Sequence, residues 1–270
     1  MQDIPITDEH SELNLALAAS VKSSNAIMNI YGRSFGVKTK TDGSPITEAD
    51  LESNQIIRNI LSDTQHVILS EEDKDDHKRL DRDYVWIVDP LDGTSDFVDR
   101  TGEFTVMIAL VRNKKPVLGV INWPAGNTIF AAQNNAGAFR YSDGMWQKIT
   151  VSGISNLAEC RAVGSRHHLT EREKKFIKML GIKRFTSVGS SLKVGRISSG
   201  DAEAYITTTN QMKEWDTAAS HCIINEAGGK MTDMAGNTIT YNNNIPRHKN
   251  GILATNGLIH DSILSEFKKL

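Results

Sequence analysis

Cysteine is scarce in this sequence: 270 residues hold only Cys160 and Cys222. Neither sits in a CxxC pair or any other metal-ligand spacing. No thiolate metal centre is therefore indicated, and both are expected as core thiols in a reducing compartment. No stretch is long and apolar enough to span a bilayer, so no integral membrane segment is expected. Residues Met1 to Glu12 are acidic and polar, without the basic start and apolar run of a signal peptide, and a cytoplasmic location is the expectation. Neither sign of charge prevails: 31 Lys and Arg face 33 Asp and Glu, a formal net charge of −2. With no basic stripe either, a nucleic acid polymer or an anionic membrane is not an expected partner. There is no internal repeat, no low-complexity segment, and no evident Ser-His-Asp or Cys-His arrangement. What remains is an ordinary globular composition, 39% hydrophobic and 24% charged, on a length that suits one large domain or two tightly joined ones.

Periodicity places the elements. Leu13, Leu17, Val21, Met28 and Tyr31 recur near multiples of 3.6 and predict a helix from about Glu9 to Ile30, ending at Gly32. Thr47 reads as the N-cap of a second helix with an apolar face at Leu51, Ile56 and Ile60, running to about Leu61. Val67-Ile68-Leu69 and Val85-Trp86-Ile87-Val88 are unbroken apolar runs, as in strands covered on both faces. Strands at 104–111, 116–122, 128–133 and 137–141, joined by short polar turns, suggest antiparallel pairing. Residues 142–156 are turn-rich and could join two subdomains, 1–155 with an antiparallel sheet and 156–270 with alternating elements. That second half reads as strands at 160–163, 184–187, 204–206 and 251–254, and helices at 170–180, 191–198, 216–226 and 258–267. The whole is a layered α/β arrangement.

The chemistry concentrates at Asp89-Pro90-Leu91-Asp92-Gly93-Thr94. Two carboxylates stand three residues apart directly after a buried strand. Pro90 restricts Asp89 and is expected to end the ladder, and Gly93 permits a tight turn. Amide N–H groups could converge on a phosphate if a helix starts here, and hard oxygen ligands beside such a cradle are what Mg²⁺ requires. Taken alone, the segment could equally be a polar turn in which both acids cap the next element of the chain. The acidic pair Glu71-Glu72, closing the preceding apolar strand, points instead to one site shared by two strand ends. A third acidic element, Glu214-Trp215-Asp216-Thr217-Ala218-Ala219, opens a helix. Asp216 could be a plain N-cap, but the small residues after it indicate close packing against another backbone.

These three elements, in this order and spacing, resemble the lithium-sensitive, magnesium-dependent phosphatase superfamily of inositol monophosphatases, fructose-1,6-bisphosphatases and 3′(2′),5′-bisphosphate nucleotidases. The matching segments are Ser70-Glu71-Glu72, Asp89 to Thr94, and Trp215 to Ala219, and the likeness runs over most of the chain. It implies a layered αβαβα sandwich of the inositol monophosphatase and sugar phosphatase type, and a small-molecule phosphate ester as substrate. It implies two or three Mg²⁺ held by Glu71, Asp89, Asp92, Asp216 and the carbonyl of Leu91. It further implies that Asp50, in Ser44 to Asp50, pairs with Thr94 to activate water. Without the resemblance Asp50 reads as a surface acid.

Within the superfamily, Leu91, Gly102 to Val106, Gly164 to His168 and Gly189 to Lys193 resemble the CysQ-like branch of bisphosphate nucleotidases. That implies nucleotide contacts from Ser165, His168, Ser190 and Lys193, beside Glu71, Leu91, Asp92, Gly93, Thr94 and Asp216, with Lys193 near the phosphate that is not cleaved. His168 could also be a cap neighbour, and Lys193 a solvated helix lysine. Two departures stand out. Ser95-Asp96 replaces the usual Lys-Glu, and Ile206-Thr207-Thr208-Thr209 lacks an arginine that the branch usually carries. The rivals are an inositol or sugar monophosphatase on the same scaffold and a catalytically silent metal-binding regulator.

Overall fold

The run Val85 to Val88 lies at the heart of a sheet because helices cover both of its faces. The computed structural model describes residues 3–6 and 11–270. Helix α1 (Ser11–Tyr31) carries the predicted apolar stripe, and its expected start at Glu9 lies outside the described residues. A hairpin of β1 (Val37–Thr39) and β2 (Pro45–Thr47), not anticipated from sequence, leads into α2 (Glu48–Leu61). Thr47 caps α2 as expected: its hydroxyl oxygen accepts the Ala49 amide, while the Asp50 carboxylate accepts the Thr47 amide.

Seven strands then form one sheet in chain order: β3 (Val67–Ser70), β4 (Tyr84–Asp92), β5 (Thr105–Arg112), β6 (Lys115–Trp123), β7 (Thr128–Gln133), β8 (Gly137–Ser142) and β9 (Met145–Ile149). The β3–β4 pair is parallel and all later pairs are antiparallel. Two expectations need correction. Pro90 does not end the ladder: β4 shifts register between Asp89 and Asp92 and then pairs again with Thr105, so a bulge absorbs the missing N–H. The turn-rich stretch 142–156 contains β9, a short edge strand whose polar side chains mask its alternation.

After α3 (Thr94–Val98), which links β4 to β5, the second half builds a five-stranded sheet from β10 (Arg161–Ser165), β11 (Arg184–Val188), β12 (Ala204–Thr207), β13 (Lys230–Thr232) and β14 (Ile252–Thr255), in the order β11-β10-β12-β14-β13. Its helices are α4 (Glu171–Met179), α5 (Leu192–Ser198), α6 (Ala218–Glu226) and α7 (His260–Phe267). Helices α1 and α2 cover the outer face of the seven-stranded sheet, α5 and α6 lie between the sheets, and α4 and α7 cover the far face of the second. This is the expected αβαβα sandwich. Cys160 and Cys222 are both buried free thiols in its cores. No helix among the described residues is long and apolar enough to cross a membrane.

One close approach sets the position of α6. Gly119 in β6 faces the helix so tightly that a Cβ there would lie 2.5 Å from the Ala219 carbonyl oxygen. The small residues after Asp216 are thus a packing requirement. Gly119→Ala is expected to displace α6 and destabilise the fold by about 1–3 kcal/mol. Gly36→Ala, where nothing lies within 4 Å, is the neutral control. Denaturant midpoints of the two variants check this.

Candidate active site

Parallel pairing of β3 with β4 brings two acidic strand ends together. The Glu71 amide donates to the Val88 carbonyl at 3.1 Å, which sets Glu71 beside Asp89. Asp89 is buried, and its Oδ1 accepts the Leu91 amide at 3.1 Å. Asp216 arrives from the other half of the chain, held by the Lys213 amide donating to its Oδ2 at 2.7 Å. Carboxylate oxygens of Glu71, Asp89 and Asp216 lie within 4.8 Å of one another. Asp216 is not the N-cap of α6; Thr217 holds that position. Asp92 stands alongside but turns towards α5, where its Oδ2 accepts the Ser191 amide at 2.6 Å and the Thr105 hydroxyl at 3.3 Å. The Leu91 carbonyl accepts the Thr94 hydroxyl at 3.3 Å. Gly93 takes φ +89°, and a Cβ there would press on Ser190 at 3.2 Å, so glycine is required where the two halves meet.

The electrostatics follow from this crowding. Burial, then the neighbouring Glu71 carboxylate, pushes Asp89 and Asp216 well above the ordinary aspartate range. Asp92 is also raised by burial, against the pull of Lys193. Hard carboxylate oxygens, crowded together around buried Asp89 and mutually repelling, fit a divalent cation such as Mg²⁺. Lys40, on the hairpin loop, partly offsets the charge: its Nζ lies 3.0 Å from Glu71 Oε1 and 2.5 Å from Glu72 Oε1. Those two carboxylates raise the Lys40 pKa although burial alone would lower it.

Asp50 is no surface acid. It is buried behind Thr94, whose hydroxyl donates to Asp50 Oδ1 at 2.9 Å, while the Thr47 amide and hydroxyl both donate to Oδ2 at 2.7 Å. Burial raises its pKa.

The acids open onto a cavity of about 630 Å³ that Gly93, Thr94, Ser165, His168, Ser190 and Lys193 also line. Lys193 is buried rather than solvated; its ammonium donates to the Ser190 carbonyl and sits 5.3 Å from the centre of the Tyr205 ring. Burial lowers its pKa. Among the described residues the buried Ser190 hydroxyl has no hydrogen-bond partner, and the residue takes φ +47°, which leaves a polar group for a ligand. Ser165 Oγ accepts the His168 amide at 3.1 Å. Burial, then His167, lowers the pKa of His168 and favours its neutral ring. Asp96 is buried and binds Arg166 Nε at 3.2 Å and His167 Nε2 at 3.3 Å, joining α3 to the loop after β10. Thr207 stands on the cavity wall where the arginine is missing.

Sequence reasoning missed the anchors behind the site. Buried Glu214 accepts the amides of Asn242 at 2.7 Å and Asn243 at 2.9 Å, and Arg79 Nη1 donates to Asn242 Oδ1 at 2.8 Å. The segment after Glu72 is thereby tied to the turn bearing Asp216. Glu214, directly before Trp215-Asp216, was visible as part of the acidic element; Arg79 gave no signal.

Fold and cavity define a class: a layered α/β protein whose strand ends gather carboxylates suited to a divalent metal. Residues 8–270 match the inositol monophosphatase family, and the chain belongs to it. It is thereby a phosphatase, and enzymes of this family generally depend on Mg²⁺. The chain is 35% identical to the 3′(2′),5′-bisphosphate nucleotidase CysQ of Escherichia coli over 80% of its own length and 88% of that protein. The crystal structure of CysQ from Bacteroides thetaiotaomicron is 32% identical, with a TM-score of 0.80 over 92% of this chain and 98% of that one. A Thermotoga maritima IMPase gives 0.83 at 27% identity, over 96% and 98% of the two chains.

Carboxylates whose folded pKa values are raised favour folding below the unfolded aspartate value, about 4, and that contribution is lost as pH climbs through the raised values. The metal-free protein is therefore expected to lose thermal stability from about pH 4 towards neutrality. Mg²⁺ at a hundredfold excess over its dissociation constant should restore about 2.7 kcal/mol. Asp89→Asn should raise the metal-free Tm at pH 7 and abolish the Mg²⁺ response. Thermal unfolding with Mg²⁺ or with EDTA checks both, and an undiminished Mg²⁺ shift in Asp89→Asn overturns the assignment.

Proposed function

We propose that this phosphatase removes the 3′(2′)-phosphate from 3′(2′),5′-bisphosphate nucleotides such as 3′-phosphoadenosine 5′-phosphate, releasing AMP and phosphate. The observation that carries the reading is a single cavity in which the Glu71, Asp89 and Asp216 cluster and the Asp50–Thr94 pair share walls or backing with buried Lys193. Similarity to CysQ proteins, at 35% and 32% identity over 80% and 92% of the chain, supports the same choice.

In this reading Glu71, Asp89, Asp92, Asp216 and the Leu91 carbonyl hold two or three Mg²⁺. Bound there, the ions supply positive charge that acidifies water and offsets charge on phosphoryl oxygens. The chain's own residues do the rest. Asp50, fixed by Thr47, holds the Thr94 hydroxyl so that its oxygen accepts a proton from the attacking water while its own proton passes towards Asp50. Burial raises the affinity of Asp50 for that proton. Lys193 and the unpartnered Ser190 hydroxyl hold the phosphate that is not cleaved, and neutral His168 with Ser165 offers hydrogen bonds to the nucleotide. Residues 1–155 thus supply most of the metal chemistry, and residues 156–270 add Asp216 and the substrate contacts.

One observation favours a second reading. Thr207 brings no cation to the cavity wall, as a monophosphatase for inositol or a sugar would allow. Phosphate release from 3′-phosphoadenosine 5′-phosphate and inositol 1-phosphate, with Mg²⁺ and with or without Li⁺, separates the two. Preference for the nucleotide and inhibition by Li⁺ are expected. Preference for inositol phosphate would discard the substrate assignment, and release from neither would favour a silent regulator. Thr94→Val should lower kcat by about a hundredfold or more while Mg²⁺ still stabilises the fold. Full turnover in that variant would remove Thr94 from the mechanism.

A further inference from the structure

Lys213 and Arg247 are directly opposite partners in an antiparallel bridge. The His248 amide donates to the Met212 carbonyl at 2.9 Å and the Glu214 amide to the Pro246 carbonyl at 2.8 Å, so the pairing is a short ladder and not a chance approach. Opposed residues of such a ladder carry their side chains on one face, within reach of each other. Both side chains line the cavity that holds Glu71, Asp89, Asp216 and Lys193.

Like charges set opposite each other destabilise a ladder unless something offsets them. Among the described residues little does. Among the described residues Arg247 has no ion pair and no hydrogen bond from its side chain, and it is exposed. Lys213 lies against the Trp215 ring at 5.1 Å; among the described residues its one ion pair is with Asp42, 3.8 Å away and half exposed, and it also attracts the Asp216 carboxylate of the acid cluster. The cations form a graded series on one cavity: Lys193 buried, Lys213 partly buried, Arg247 open to solvent. An anionic group of the ligand is what would relieve the pair, and the planar fork of an arginine suits a phosphate.

The pair is also held in register with the acids. Lys213 donates its amide to Asp216 at 2.7 Å, and His248, next to Arg247, bonds the Thr217 hydroxyl at 2.6 Å. Four consecutive residues, Lys213 to Asp216, therefore bear both a cation of the pair and a member of the carboxylate cluster. We propose that Lys213 and Arg247 form an anion subsite that receives the uncleaved phosphate of a nucleoside bisphosphate from the solvent side, with Lys193 beneath. The inference rests on the nucleotidase reading and takes the place of the arginine missing at 207–209.

The test compares 3′-phosphoadenosine 5′-phosphate with adenosine 3′-monophosphate, which lacks the second phosphate, in wild type, Arg247→Gln, Lys213→Gln, Arg247→Lys and the neighbouring surface control Lys249→Gln. In the first two variants KM for the bisphosphate is expected to rise about tenfold, the worth of one charge-assisted contact, with kcat within twofold. KM for the monophosphate should move less than twofold, Arg247→Lys should recover part of the loss, and Lys249→Gln should match wild type. A merely structural role would impair both substrates alike and overturns the proposal. If wild type prefers the bisphosphate and both glutamine variants keep that preference, the subsite is wrong and the nucleotidase reading stands. If wild type does not distinguish the two nucleotides, the nucleotidase reading fails and the subsite with it.

Discussion

Mutual repulsion of the crowded carboxylates of buried Asp89 and partly buried Glu71 and Asp216 is the constraint around which the remainder is arranged. A carboxylate taken out of water beside two others favours either neutralisation or escape. Escape is blocked by packing. Parallel pairing to β4 holds Glu71, the bulge after Asp89 fixes the direction of the next residues, and the Gly119–Ala219 contact seats the helix behind Asp216. The Arg79–Asn242–Glu214 network closes the same ring from behind, since it joins the segment after Glu72 to the turn before Asp216. The fold thus holds the acids together, and a divalent cation would lower the energy of that arrangement.

Lys40 shows how the strain is moderated from within. Its ammonium reaches Glu71 and Glu72 from the β1–β2 hairpin, which no other sheet embraces. A single cation on a short hairpin can offset two carboxylates without entering the Asp89–Asp216 side of the cluster. The hairpin loop is further tied to the second half by the long Asp42–Lys213 pair, a contact between partly exposed groups worth little by itself.

What could be read from sequence was local. The six residues from Asp89 to Thr94 announce a polar turn on a buried strand because proline, glycine and paired acids constrain each other over one turn. Thr47 was legible as a cap because capping spans only three residues. Pro90 was misjudged since the bulge that accommodates it depends on the partner strand at Thr105, far along the chain. Strand β9 was hidden because an edge strand with polar residues lacks a buried face to print an alternation. Without the family resemblance Asp50 reads as a surface acid for the same kind of reason: its burial comes from Thr94 and the Ser53 to Pro90 contact, 44 and 37 residues away. Arg79 and Asn242, separated by 163 residues, leave no mark on any window.

The two sheets divide the labour unequally, and this bears on how substrate choice can vary in such a scaffold. Three of the four carboxylates, and the Asp50–Thr94 pair, belong to the end of the seven-stranded sheet and its helices, where every residue is fixed by several others. The cations that face the cavity come from α5 and from the Lys213–Arg247 ladder, both beyond residue 190. A change at Thr207 or Arg247 alters charge on a wall without touching the ring of contacts that restrains the acids. Asp216 alone spans the division, and its neighbour Lys213 spans it with it. Substrate charge can therefore be retuned by substitution in the second half at small risk to the metal chemistry, provided that the backbone from Lys213 to Asp216 keeps its shape.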